Sequence, residues 1–124
     1  AEFRDCYAPT WGRFKDRTRP AVGNHEYLTA GAVPYWDYFG GAAGPRGKGW
    51  YSYDIGSSWH VVVLNANCWE PGASCKVGSE QERWLRADLA AAIRRHRPDV
   101  VLSINFRDSW GGPSCQGWAE KTRG

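Results

Sequence analysis

The sequence predicts an α/β chain, and three observations carry that expectation. Short apolar runs recur at 20–22, 61–64 and 100–104, and the last two have the unbroken character of inner strands. A capped amphipathic helix lies between the second and third runs, opened by Ser79-Glu80-Gln81-Glu82. The first run stops at Gly23-Asn24-His25-Glu26, a glycine followed by three residues that can ligate or move protons. That is the carboxyl edge of a strand, where open α/β sheets keep their chemistry.

The chain has 124 residues, enough for at most one domain. It is globular in composition, with eight tryptophans and fifteen glycines that point to aromatic packing joined by tight loops. A net charge of +3 is too small and dispersed to argue for nucleic acid, although it suits phosphorylated substrates. No apolar stretch is long enough to span a membrane, and no signal peptide is present in the chain. The chain lacks an initiating Met and begins within a helical pattern, so it is expected to be a piece of something longer.

Phe3, Cys6, Tyr7, Trp11 and Phe14 recur at helical spacing and predict two short helical segments, the second starting near Pro9 or Thr10. Their aromatic face reads as packing. Residues 16–19 form a polar turn into the first strand. Residues 28–48 are glycine-rich and aromatic, with a helical turn expected over 34–39. No Gly-Lys-Ser/Thr closes this run, so it is not a phosphate-binding P-loop. It reads as a surface excursion, or alternatively as a wall over the site carrying Tyr27 and Trp36.

Residues 50–54 alternate and 59–64 are almost continuously apolar, and Ile55-Gly56-Ser57-Ser58 between them predicts a hairpin. His60, at the start of the second strand, reads as a hydrogen-bonded structural residue rather than a ligand. Cys68 and Cys75 bracket a loop containing Pro71-Gly72 and read as a short disulfide, which implies an oxidising compartment. Whether Cys6 and Cys115 pair is left open. The helix after Ser79 is expected to bury Leu85, Leu89, Ala92 and Ile93, with Glu82 and Arg86 on the other face. Pro98 ends it. His96 reads as a solvated residue near the carbonyl end of the helix dipole.

Gly23-Asn24-His25-Glu26 resembles the G-N-H-[D/E] block of the calcineurin-like metallophosphoesterases, which include the purple acid phosphatases. The flanks extend the likeness: the run from Glu2 to Tyr27, then Gly49-Trp50-Tyr51-Ser52-Tyr53-Asp54, Trp59-His60-Val61-Val62-Val63-Leu64-Asn65 and Trp84-Leu85-Arg86-Ala87-Asp88-Leu89. They resemble the middle of secreted bacterial members, from the start of the chain to around Val101.

The resemblance implies part of a four-layer α/β/β/α sandwich, truncated at both ends, with 1–104 its central portion and 105–124 a divergent tail. Where the family places a metal-binding His, this chain has Asn105-Phe106-Arg107-Asp108-Ser109-Trp110, and the tail reads as a frame slip or misjoined sequence. The family's Asp-x-His and Gly-His-x-His blocks have no counterpart. In complete members a dinuclear centre of Fe, Zn or Mn, its ions about 3.5–4 Å apart, activates a hydroxide against a small phosphate ester. Asn24 would ligate a metal, His25 would assist the leaving group, and Glu26 and Asn65 would support them from behind. One Asn cannot hold two metals against water, so this chain is expected to lose the metals and to be inactive. Strand polarity predicts that Asn24, Asn65 and Asn105 gather on one rim. The alternatives are a non-catalytic secreted module whose aromatics bind sugars or peptides, and a small enzyme using His25 and Glu26 without metal.

Overall fold

The computed structural model describes residues 2–97; the expected strand at 100–104 and the tail at 105–124 lie outside them. Helical turns surround one antiparallel hairpin. A wide π-helical turn over Phe3–Tyr7 runs into α1 (Ala8–Thr10) and is followed by a 3-10 turn over Gly12–Arg17. After an extended stretch come 3-10 turns at His25–Leu28 and Ala30–Ala32, then α2 (Val33–Phe39) and a last 3-10 turn at Gly40–Ala43. The hairpin pairs β1 (Tyr51–Ile55) with β2 (Trp59–Val63), and α3 (Glu80–His96) follows.

This architecture overturns the four-layer sandwich. Among the described residues the sheet has two strands, antiparallel and joined by a tight turn at Gly56, which excludes a parallel crossover between them. Residues 20–22, expected as a strand, form none and pair with no strand among the described residues. Two of their carbonyls accept from side chains instead. The Pro20 carbonyl accepts the hydroxyls of Tyr35 (3.1 Å) and Tyr51 (2.8 Å), and the Val22 carbonyl accepts Asn67 Nδ2 at 3.3 Å. Pro20 also lacks an N–H to offer a ladder. β2 is only partly buried rather than covered on both faces, since among the described residues no second sheet packs on the hairpin.

The core is aromatic. Phe3 meets Tyr7, Tyr35, Tyr38 and Phe39 at centroid distances between 5.2 and 6.2 Å. Each such pair contributes about 0.5–1.5 kcal/mol beyond the area it buries. Tyr35, Trp36 and Phe39 of α2 are buried with Val22, Ala32 and Ala43. Trp36 is therefore packing and not a wall over the loop; its Nε1 donates to the Gly31 carbonyl at 2.8 Å. The helical break falls at Trp11 rather than near Pro9. Pro9 occupies the first positions of α1, where a missing N–H costs nothing.

Ser79 caps α3, its Oγ accepting the Glu82 amide at 3.3 Å. Glu82 reaches back to the Gly78 amide (3.1 Å) rather than to that of Ser79, because the Ser79 amide already donates to the Lys76 carbonyl at 2.9 Å. Its other oxygen meets Arg86, the expected pair one turn away. The packed stripe of α3 includes Gln81, Trp84, Leu85, Asp88, Leu89, Ala92 and His96, so Leu85, Leu89 and Ala92 pack as expected. Ile93 is 51% exposed, so its expected burial is corrected. The stripe carries polar residues because the hairpin offers α3 hydrogen-bonding groups: Ser52 Oγ donates to Asp88 Oδ1 at 2.7 Å.

The tyrosines on Pro20 make alkaline stability a test of this packing. Burial pushes the Tyr51 phenol up to about 12 and raises that of Tyr35 further. A phenol raised above its unfolded value of about 10 contributes stability that is complete below that pH and is lost as pH rises through the folded value. Unfolding is expected between pH about 10 and about 12. Phenolate absorbance near 295 nm (about that wavelength for any tyrosinate) and loss of far-ultraviolet dichroism should rise together. Complete tyrosine ionisation with unchanged dichroism would contradict the packing.

Candidate functional site

Gly23 to Tyr27 forms a closed loop. The Gly23 amide donates to Glu26 Oε2 at 2.8 Å, and the Tyr27 amide donates to the Asn24 carbonyl at 3.2 Å. A Cβ at Gly23 would lie 2.9 Å from that carboxylate oxygen, so a larger residue there would make the Glu26 side chain shift. Asn24 and His25 are exposed, and no hydrogen bond among the described residues engages either side chain. Glu26 bonds to Gly23 and makes no bond to the His25 imidazole.

Both flanks of the loop dock onto the turn that follows β2. Tyr27 Oη lies 2.7 Å from Asn65 Nδ2, and the Val22 carbonyl accepts Asn67 Nδ2. The flanks of the loop thus reach the end of β2 through Tyr27 and Val22, but not as parallel strands ending on one sheet rim, since 20–22 is no strand of the sheet; Asn105 lies outside the described residues. Asn65 is 0% exposed. Its Nδ2 also donates to the Lys48 carbonyl (3.0 Å), and its Oδ1 accepts the Asn67 amide (3.1 Å) and Asn67 Nδ2 (2.9 Å). Gln81 completes the knot, pairing with the Asn65 backbone as a strand would: Oε1 accepts the amide at 2.8 Å and Nε2 donates to the carbonyl at 3.1 Å. Asn65 supports the loop through Tyr27. Partial burial raises the Tyr27 phenol, so it stays a neutral donor and acceptor.

Around Asn24 the described residues offer one amide oxygen and no converging carboxylate. The group of His and acidic side chains close enough to hold an ion is Asp54, His60 and His96, which includes none of Asn24, His25 and Glu26. A dinuclear centre of the metallophosphoesterase kind does not fit these residues.

His60 is the hydrogen-bonded strand residue the sequence suggests. Its Nδ1 faces Asp54 Oδ1 at 2.7 Å and its Nε2 faces Asp88 Oδ2 at 2.8 Å. The bond to Asp88, joined by that to Asp54, raises the imidazole, while the same His60 bond and the Arg95 charge hold the Asp54 carboxyl below its usual range. His96 is not solvated. Its side chain is 13% exposed and its ring stacks on His60, with centroids 6.0 Å apart.

Cys68 and Cys75 are joined as expected, with Cα atoms 5.0 Å apart. A disulfide is compatible with an extracellular protein. Among the described residues no helix is long and apolar enough to cross a membrane. Cys115 lies outside the described residues, and with it any pairing to Cys6.

The chain is similar to two mycobacterial proteins. Uncharacterized protein MT2654 of Mycobacterium tuberculosis strain CDC 1551 / Oshkosh is 35% identical over 96 residues, covering 67% of this chain and 18% of the relative. Uncharacterized protein Rv2577 of strain ATCC 25618 / H37Rv matches with the same identity and coverage. The chain therefore spans 18% of the length of these curated relatives. No protein-family model matches it, and no solved structure does.

Three residues that hold the site carried little sequence signal. Gln81 reads as part of a capping box, Asn67 as loop, and Asp88 as a polar position on an amphipathic helix. The one available hint was spacing, since Gln81, Asp88 and His96 fall on the buried stripe with Leu85 and Ala92.

Proposed function

We propose that the Gly23–Glu26 loop is the metal-ligand and leaving-group corner of a metal-dependent phosphomonoesterase centre in a secreted protein, and that this chain alone does not turn over substrate. The observation that carries this reading is the locked turn. Glu26 ties down Gly23 and Tyr27 is anchored on buried Asn65, while Asn24 and His25 stand exposed side by side. Such a turn presents a hard oxygen ligand beside a proton donor. In this reading Asn24 would ligate a metal supplied with further ligands from elsewhere, and His25 would protonate the departing alkoxide. The disulfide Cys68–Cys75 supports the extracellular setting.

Hydrolysis of p-nitrophenyl phosphate should stay at background with added Mn²⁺, Zn²⁺ or Fe³⁺. Metal-dependent turnover that vanishes in Asn24→Ala would show that the chain is competent by itself. The DNA on either side, read in all frames, is expected to encode the Asp-x-His and Gly-His-x-His blocks. Their absence would remove the phosphoesterase reading altogether. The tryptophans lend less support to an aromatic binding module: Trp36 and Trp50 are buried, and exposed Trp11, Trp59 and Trp69 belong to three separate segments.

A further inference from the structure

A second cluster of ligating side chains lies away from the Asn24 loop, on the hairpin and the last turn of α3. Asp54 of β1 and His60 of β2 are direct cross-strand partners, and His96 comes from α3. One ligand atom from each lies within 4.8 Å of the others. What marks the cluster as built is the far side of each imidazole. His60 Nε2 faces Asp88 Oδ2 at 2.8 Å, and His96 Nδ1 faces the Ser57 carbonyl at 3.2 Å. An acceptor there holds the proton on the far nitrogen, and it leaves the near nitrogen to bind a metal.

The two near nitrogens both lie close to one atom. His60 Nδ1 lies 2.7 Å and His96 Nε2 3.5 Å from Asp54 Oδ1. Arg95 fixes the His96 tautomer, because its Nε donates to His96 Nε2 at 2.9 Å, which requires a lone pair there. The same guanidinium bonds both Asp54 oxygens, at 2.9 and 3.1 Å, so a cation already sits against this donor set. Arg95 is largely exposed, with a side-chain accessibility of 59%, and can swing away.

We propose that Asp54, His60 and His96 form a binding site for a borderline divalent cation of the Zn²⁺ class, with Arg95 as its built-in competitor. Two imidazole nitrogens and one carboxylate oxygen suit Zn²⁺, Cu²⁺ or Ni²⁺ and not Ca²⁺ or Mg²⁺, which prefer all-oxygen shells. The metal enters in place of the proton shared between His60 and Asp54, and water completes its shell. Asp88 and the Ser57 carbonyl orient the rings from behind.

Calorimetric titration of the full chain with ZnCl₂ at constant pH tests this. One saturable site is expected, with no saturable heat from MgCl₂ or CaCl₂. His96→Ala should weaken Zn²⁺ binding by roughly tenfold or more. Arg95→Ala should tighten it, and Arg94→Ala, on the neighbouring exposed position, should leave it unchanged. Far-ultraviolet dichroism checks that each variant is folded; Arg95→Ala removes no residue of the packed stripe and decides the matter if His96→Ala unfolds. Absence of saturable binding would overturn the site. So would unchanged affinity in a folded His96→Ala, or weaker binding in Arg95→Ala.

Discussion

Replacing Asn65 with alanine is expected to destabilise the chain by about 3 kcal/mol, since each buried polar partner left unsatisfied costs roughly 1–3 kcal/mol. Asn65 is fully buried, and four groups depend on its side chain: Tyr27 Oη, the Lys48 carbonyl, the Asn67 amide and Asn67 Nδ2. Some lost bonds will be replaced by water entering from the Tyr27 side. The Asn67 amide and Asn67 Nδ2 are in buried bonds and have less access to it. Because Tyr27 flanks the Asn24–His25 loop, the same substitution should loosen that loop. Urea denaturation gives the stability, and amide hydrogen exchange at Asn24 to Tyr27 reads the loop. A loss under about 1 kcal/mol with unchanged exchange would mean that the network contributes little.

Gly49→Ala should cost about 2–4 kcal/mol, from a left-handed backbone and from overpacking together. Gly49 has φ +77, and a Cβ there would lie 2.8 Å from Val22 Cγ1 and 2.9 Å from Asn65 Nδ2. Neither neighbour can retreat, because Val22 is in the core and Asn65 is held by its network. The two substitutions are coupled. Asn65→Ala removes the nitrogen that a methyl group added at Gly49 would strike, so the double variant should be more stable than the sum of the single losses implies. A coupling of at least about 0.5 kcal/mol in a double-mutant cycle is expected. Strict additivity would place Gly49 and Asn65 in separate environments.

Several elements were readable because their cause is local. Alternation at 50–54, the apolar run after it and a glycine-serine link are enough for a hairpin. Ser79 needs only the amide three residues on to act as a cap. Two cysteines separated by seven positions and a Pro-Gly turn can meet without help from the rest of the chain. The Gly23–Glu26 turn is of the same kind, its closing bond spanning three residues. The Glu82 bond was misplaced by one residue because the Ser79 amide had been taken by Lys76, a competitor that spacing rules do not weigh.

The larger errors share a cause of another sort. An apolar extended run does not state what its backbone groups bond to, and residues 20–22 found tyrosine hydroxyls and an asparagine amide instead of neighbouring strands. Layer count therefore failed, and the run at 20–22 is no strand, whereas the two strands of the hairpin lie where they were expected. The burial of Asn65 and of His96 was likewise beyond local reading. Asn65 is buried because Gln81, sixteen residues on, pairs with its backbone and Tyr27, thirty-eight residues back, meets its amide. His96 leaves solvent because α3 lies along the hairpin through Asp88. By itself the sequence determined the hairpin, the capped helix and the short disulfide, each set by contacts within a few residues. Only the tertiary structure decided what those pieces pack against and which polar side chains converge, because those contacts join segments whose sequence patterns are independent of one another.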